Sequence, residues 1–285
     1  MAVWLWPAAR NVPFSGLGNM VHVCDLNGLQ DYEGANGNQT LIKIARARIV
    51  AGVQGADAVL TGSPEQFGYW LAQLGDVHNT PAIRLAGYGL PPAYQAPVVS
   101  AGAKLRRLHF SGNVYSWSAS TALLPRCATW TTSNPTVKLK ILGGIDPGGA
   151  TSLADLRALR DIAREATVTV EQEMSFLAAM ALYRPESIAL DLNEVNAERQ
   201  LAVPIRTVNA MMHGVPIIST LDTILLRRMA RAGAAVLVPS DIPNGLEQTL
   251  NALASKTASE IGAMAIAARS FAEREFNFAD SARYQ

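Results

Sequence analysis

The stretch ERQLAVPIRTVNAMMHGVPIIST, Glu198 to Thr220, decides the fold class. Pro204 opens a helical segment, because proline is tolerated at a helix start, where its missing N–H has no partner to lose. Gly214 stops that segment, since glycine accepts the left-handed backbone in which helices commonly end. VPIIST follows at once, a short apolar run rather than an alternating one, as expected of a strand covered on both faces. Loop, helix, glycine and buried strand make half of a βαβ unit, and such units assemble a parallel sheet.

The same alternation extends in both directions. Upstream of the stretch lie SIALDLN, TVTVEQE, VKLKILGG and LRRLHFSGN (Leu105 to Asn113); downstream lies AAVLVPS. Helical patterns separate them at DLRALRDIARE, SFLAAMALY, PIRTVNAMMHG, TILLRRMARAG and GLEQTLNALAS, and an alanine-rich helix is expected from Ser259 to Asn277. Counting VPIIST, six strands with intervening helices form a complete doubly wound domain, expected over residues 101–285. Before it, VHVCDL (Val21 to Leu26) and DAVLTGS (Asp57 to Ser63) read as strands, and TLIKIARARIVAGV (Thr40 to Val53) as a helix. PEQFGYWLAQLG is a second helix with proline in its first turn and Gly75 at its end, PAIRLAGYGL is a third apolar run, and PPAYQAPVVSAGAK is the natural linker. Residues 1–100 thus hold about two or three βα units, fewer than a full doubly wound domain requires.

Bulk properties narrow the partners. A chain of 285 residues with 49% hydrophobic and 16% charged residues has enough apolar material for a substantial core, at the lower edge of two domains. The 24 Lys and Arg against 23 Asp and Glu, spread along the chain, produce no basic field for a phosphate backbone, so nucleic acid is excluded as an expected partner. Cys24 and Cys127 lie far apart in apolar or small-residue segments, which fits neither a disulfide framework nor a metal spacing and suits a cytoplasmic, reducing location. The opening MAVWLWPAAR is broken by Pro7 and lacks the basic start of a signal peptide. No run approaches the roughly 20 apolar residues of a membrane-spanning helix.

Two segments carry chemistry. In FSGNVYSWS (Phe110 to Ser118) an apolar strand ends at Gly112 just before a helix. A glycine there lets the backbone approach a phosphate, and a helix start offers unpaired N–H groups and a positive dipole end; the plain alternative is an ordinary strand-to-helix turn. The second segment is Glu198 to Thr220. In a doubly wound sheet ligands gather at the carboxyl ends of strands, so the loop after SIALDLN and the helix behind it face such a crevice. Glu198 is placed to hold ribose hydroxyls, and Arg199 or Arg206 to offset diphosphate charge. The plain alternative is that these charges solvate a loop.

PIRTVNAMMHGVPIIST resembles the donor-site signature of retaining GT-B glycosyltransferases that use nucleotide sugars (the group 1 type), a proline, a basic or small residue, then E-A-M-A-x-G-x-P-V-I. FSGNVYSWSASTALL resembles the glycine loop opening their donor domain, and ADAVLTGSPEQFGYWLAQLG with the later GYGL is similar to the end of their acceptor domain. The resemblance implies a GT-B-like α/β fold with a complete C-terminal Rossmann-like domain and an incomplete N-terminal one. It also implies retaining, metal-independent transfer from a nucleoside diphosphate sugar, with no further cofactor. Gly112 and Asn113 would lie at the diphosphate, Trp117 at the border of the donor site, Glu198 and Asn209 near hydroxyls, and Arg199 and Arg206 near charge. Asn209 stands where the family carries a second acidic residue, and the basic pair that follows the family's glycine loop is missing from NVYSWSAST. These departures leave open a catalytically inactive subunit that binds or scaffolds, and the short first half implies a shortened form or completion by another subunit of the same or another kind. A dinucleotide-dependent oxidoreductase is disfavoured, because no G-x-G-x-x-G follows an early strand.

Of the remaining residues, His22 and His109 read as packing histidines, His78 as part of a polar turn, and His213 as a cation favoured at a helix end. Asp25, at the end of VHVCDL, is a candidate on the acceptor side. Asp191 in DLN superficially resembles a metal-binding acidic pair, but Asn193 supplies no charge and no metal is expected. The tryptophans other than Trp117 read as packing residues.

Overall fold

A computed structural model of the chain describes residues 2–5, 21–26, 38–78, 81–85, 103–112, 120–143, 153–171, 176–193 and 195–276. They form two compact units: one from the described residues of Met1–Pro92, Asn196–Val203 and Phe276–Gln285, the other from those of Ala93–Val195 and Pro204–Glu275.

The first unit holds a parallel sheet of β1 (Ala2–Leu5), β2 (Val21–Asp25), β3 (Ala58–Thr61) and β4 (Ile83–Leu85), in that spatial order. Helices α1 (Gln39–Val53) and α2 (Pro64–Leu74) connect the later strands. The strand β1 lies in the segment whose sequence reads only as an apolar patch; four residues followed closely by a proline give too short a pattern to distinguish, and pairing along β2 supplies the order that local propensity lacks. Leu26, Val59, Trp70 and Leu74 form the core of this unit, and Trp70 and Leu74 are completely buried.

The start of α2 shows how this unit gains its extra segment. Ser63 caps the helix by accepting from Gln66 N at 3.1 Å, while Gln66 Oε1 reaches back to accept from Gly62 N at 3.0 Å, a variant of the reciprocal capping arrangement. Ser63 Oγ also donates to Leu201 O at 3.2 Å, which ties in the segment Asn196–Val203. Glu198 and Arg199 therefore belong to the first unit, whereas a single cut near residue 100 counts them with the second. Ser63→Ala removes a buried cap and a buried donor together, and is expected to lower stability by about 1–2 kcal/mol. Urea denaturation measures this directly, and a change of a few tenths would show that the hydroxyl carries neither role.

The second unit contains β5 (Arg107–Ser111), α3 (Ser120–Ser133), β6 (Lys138–Leu142), α4 (Leu153–Ile162), β7 (Val168–Glu171), α5 (Phe176–Met180) and β8 (Ser187–Asp191). After α6 (Ala197–Leu201), which joins the first unit, it resumes with α7 (Ile205–Met212), β9 (Ile217–Ser219), α8 (Ile224–Arg231), β10 (Ala235–Leu237), α9 (Gly245–Ala254) and α10 (Ala258–Glu275). Its six strands are all parallel in the order β10-β9-β8-β5-β6-β7, so the strand order reverses between β5 and β8. Each of the six strand segments legible in the sequence is present. Leu108, Leu139, Ile141 and Ile188 are wholly buried, the double coverage that makes such strands read as unbroken apolar runs. Helices α3 and α9 are pinned together by a bidentate Arg126–Glu247 pair, at 2.8 and 2.6 Å, and by Trp130 Nε1 donating to Asn251 Oδ1 at 2.8 Å. None of the helices among the described residues is long and apolar enough to cross a membrane.

Candidate functional site

The reversal of strand order is where a doubly wound sheet opens a crevice, because connections on either side of it leave toward opposite faces. In the second unit that place is the carboxyl end of β5 and β8. A pocket there is lined by His109, Phe110 and Ser111 of β5, by Tyr183, by Ala189 to Asn193 at the end of β8, and by Arg206 and Thr207 in the first turn of α7.

Arg206, which lines this pocket, lies against Gly112. Gly112 N donates to Leu142 O at 2.8 Å, ending the β5–β6 ladder, and its φ of +121° lies where L residues with side chains are strained. Arg206 Nη1 donates to Ser111 O at 2.7 Å. The guanidinium lies over the glycine so closely that a Cβ on Gly112 would stand 2.0 Å from Arg206 Nη1 and 2.6 Å from its Cζ. The glycine is thus required twice, for its backbone conformation and for the space that the arginine fills.

Arg206 is held there by the geometry of α7. Pro204 occupies the N-cap without a side-chain cap bond, and the far end closes through Val215 N to Ala210 O at 3.0 Å and Gly214 N to Met211 O at 2.8 Å, with Gly214 at φ +68°. This is a Schellman ending, which satisfies carbonyls the helix leaves open. The uncapped N-terminus beside the pocket has the polarity that favours an anion.

Asp191 is the second charged group at the pocket. Its carboxylate accepts from Asn193 Nδ2 at 2.8 Å and from Ser219 Oγ at 2.9 Å, while Thr220 Oγ1 accepts from Asn193 N at 2.9 Å and donates to Asn193 O at 2.7 Å. The network stitches the ends of β8 and β9 together and fixes the carboxylate. A guanidinium and an oriented carboxylate lining one pocket suit a ligand with both an anionic group and hydroxyl groups. Among the described residues, no cluster of three His, Cys, Asp or Glu side chains could hold a metal ion.

His109 is buried, as its sequence reading expects, and His213 departs from its own. His109 lines the pocket at 1% exposure, with its ring 4.8 Å from that of Tyr183 between centroids; Tyr183 in turn lies 5.2 Å from His213. Burial, helped by Arg107 and Lys140, pushes the His109 pKa down to about 4. His213 is no surface cation at a helix end: it is buried, its Nδ1 lies 2.7 Å from Asn209 O, and burial lowers its pKa more than the backbone bond raises it.

The other expected site residues lie in several elements. Asn209 is buried in α7, three positions beyond Arg206 and so on the same side of the helix. Glu198 and Arg199 pair with each other at 3.0 Å in α6, whose cap Asn196 accepts from Arg199 N at 2.8 Å. Asn113 and Trp117 lie outside the described residues, while Asp25 ends β2 in the first unit. The sequence reading does not single out His109, Tyr183 or Asp191 as site residues. Asp191 carries a signal, since it ends a predicted strand; Tyr183 carries none, because it reaches the pocket from the turn after α5.

No protein-family model matches the sequence, and no curated protein matches it. Solved structures do. The chain is similar to the sucrose-phosphate synthase of Thermosynechococcus elongatus, with a TM-score of 0.71 at 16% identity, covering 99% of this chain and 71% of that one. It is similar to a point mutant of S. aureus TarM in complex with fondaparinux, alpha-GlcNAc-glycerol and UDP, with a TM-score of 0.69 at 12% identity, covering 99% of this chain but 54% of that one. It is also similar to Anabaena HepE in complex with UDP-glucose, with a TM-score of 0.66 at 13% identity, covering 98% of this chain and 76% of that one. At such identities the likeness establishes the fold alone: the chain has the GT-B fold, and it spans about half the length of TarM.

Proposed function

We propose that this chain is a glycosyltransferase that binds a nucleoside diphosphate sugar in its second unit and passes the sugar to an acceptor with retention at the anomeric carbon. One observation carries the reading: Gly112 and Arg206, which stand in two separate sequence segments, meet at the reversal of strand order, where Arg206 lines the pocket and its guanidinium lies over the glycine. As the bond to the sugar breaks, negative charge accumulates on the departing diphosphate. Arg206 and the start of α7 are positive elements that need no rearrangement to meet it, and preorganised groups of this kind lower a barrier most. Asp191 suits the hydroxyl-bearing part of the ligand. Asn113 and Trp117, which follow the glycine turn, and Asn209 are proposed to act on the donor as well. The chemistry requires no metal, since an arginine and backbone dipoles already offset the leaving charge. The bound UDP and UDP-glucose of the structural neighbours make uridine nucleotides the first donors to try.

The test is binding followed by turnover. UDP is expected to raise the melting temperature of the purified chain by several degrees at saturating concentration, since a ligand that binds only the native state stabilises it. Arg206→Ala is expected to weaken UDP roughly tenfold or more, the loss of a charge-assisted contact. Hydrolysis of UDP-glucose, or transfer to an added acceptor, then separates an active enzyme from a binding subunit. Failure of uridine, guanosine, thymidine and adenosine diphosphates alike to shift the melting point would reject the reading.

A further inference from the structure

His109 is a buried polar group that the proposed chemistry leaves without a task. It is 1% exposed, and neither of its ring nitrogens has a hydrogen-bond partner among the described residues. Leaving such a group unpaired in the folded state costs free energy, and native proteins rarely do so without a reason. Packing explains the ring, which lies against Tyr183, but a phenylalanine would pack there without the cost. His109 is one of the residues lining the pocket that also holds Arg206, Asp191 and Thr207 in the first turn of α7.

We propose that His109 is a donor-reading residue, whose imidazole takes its missing hydrogen-bond partner from an oxygen of the bound nucleoside diphosphate sugar. The inference rests on the reading of this pocket as a nucleotide-sugar site and adds a residue to it. Among the described residues, Arg107, Lys140, Arg206 and the carboxylate of Asp191 are the charged groups around the ring or its pocket, and His213 lies behind Tyr183. Burial first, and then Arg107 and Lys140, disfavour a charged imidazole, so the ring offers one donor and one acceptor. A hydroxyl can engage either nitrogen and a phosphate oxygen only the donor, so the two ligand sources differ in what the ring can give them.

His109→Phe keeps an aromatic ring against Tyr183 and removes both nitrogens, while His109→Gln keeps hydrogen bonding and gives up the ring. Calorimetric titration of the full chain with UDP and with UDP-glucose, beside melting curves, tests the proposal. The expected result for His109→Phe is a melting temperature at or above that of the unaltered chain together with roughly tenfold weaker ligand binding, and partial recovery of affinity in His109→Gln. A loss confined to UDP-glucose assigns the bond to a sugar hydroxyl; an equal loss with UDP assigns it to the nucleotide. Unchanged affinity in both variants, with Arg206→Ala still weakening binding, overturns the role of His109 alone. Absence of binding by the unaltered chain overturns the site reading and this inference with it.

Discussion

Gly112→Ala is expected to produce a chain that folds with reduced stability and binds nucleoside diphosphates at least tenfold more weakly. Two independent costs meet at this position. The backbone φ of +121° is a conformation that L side chains rarely adopt, and forcing alanine into it costs about 1–3 kcal/mol. The new methyl would also stand 2.0 Å from Arg206 Nη1 and 2.7 Å from its Cδ, and the arginine is the softer of the two groups. It is expected to swing away, losing its 2.7 Å bond to Ser111 O and leaving the pocket. The two costs separate in a double-mutant cycle. In an Arg206→Ala background the steric conflict no longer exists, so adding Gly112→Ala should cost only the backbone strain and should weaken nucleotide binding little further. Full additivity of the two binding losses would mean that the glycine contacts the ligand by itself, and that Arg206 is seated by something other than the space above it.

What the sequence makes legible follows from which forces are local. The six strands of the second unit carry continuous apolar runs because both faces of the sheet are covered, and the Pro204 and Gly214 punctuation of α7 follows from backbone chemistry within a few residues. The glycine turn and the arginine are legible as separate signals. Their meeting is not written locally: it depends on β8 being laid beside β5 and on α7 leaving from the adjacent edge, which joins Arg206 to a carbonyl 95 positions earlier. The strand β1 escapes a sequence reading because four residues beside a nearby proline carry no period of their own. The placement of Glu198 and Arg199 in the first unit escapes it for a similar reason. The hydroxyl of Ser63 bonds α6 to an element far upstream, and nothing in ERQL announces it. His109 reads as a packing residue because its neighbours in the strand are apolar; the absence of partners for its nitrogens among the described residues is a fact of three-dimensional arrangement.

That arrangement also makes the protein acid-sensitive in a defined window. Burial holds the His109 pKa at about 4, below the ordinary value of 6.5 that the unfolded chain displays. Between those values the unfolded state binds a proton that the folded state refuses, so stability rises with pH across the interval. Above pH 6.5 the ring is neutral in both states and imposes no penalty; as the pH falls to about 4 the penalty grows to roughly 3 kcal/mol. His213, whose pKa burial also lowers, acts in the same direction. The carboxylates of Asp222, Glu247 and Glu260, each held low by a hydrogen-bonding partner, add a small share at the acidic end, small because water screens these exposed groups. Urea midpoints measured at intervals from pH 7 to pH 4 should therefore fall steeply, and His109→Phe should flatten the fall while leaving the contributions of His213 and the carboxylates intact. The comparison concerns slopes rather than absolute stabilities, so it holds whichever way the substitution moves the midpoint at pH 7. Superimposable slopes would show that the ring is solvated enough to titrate normally, and the same result would remove the desolvated histidine, without a partner among the described residues, on which its role as a donor-reading group depends.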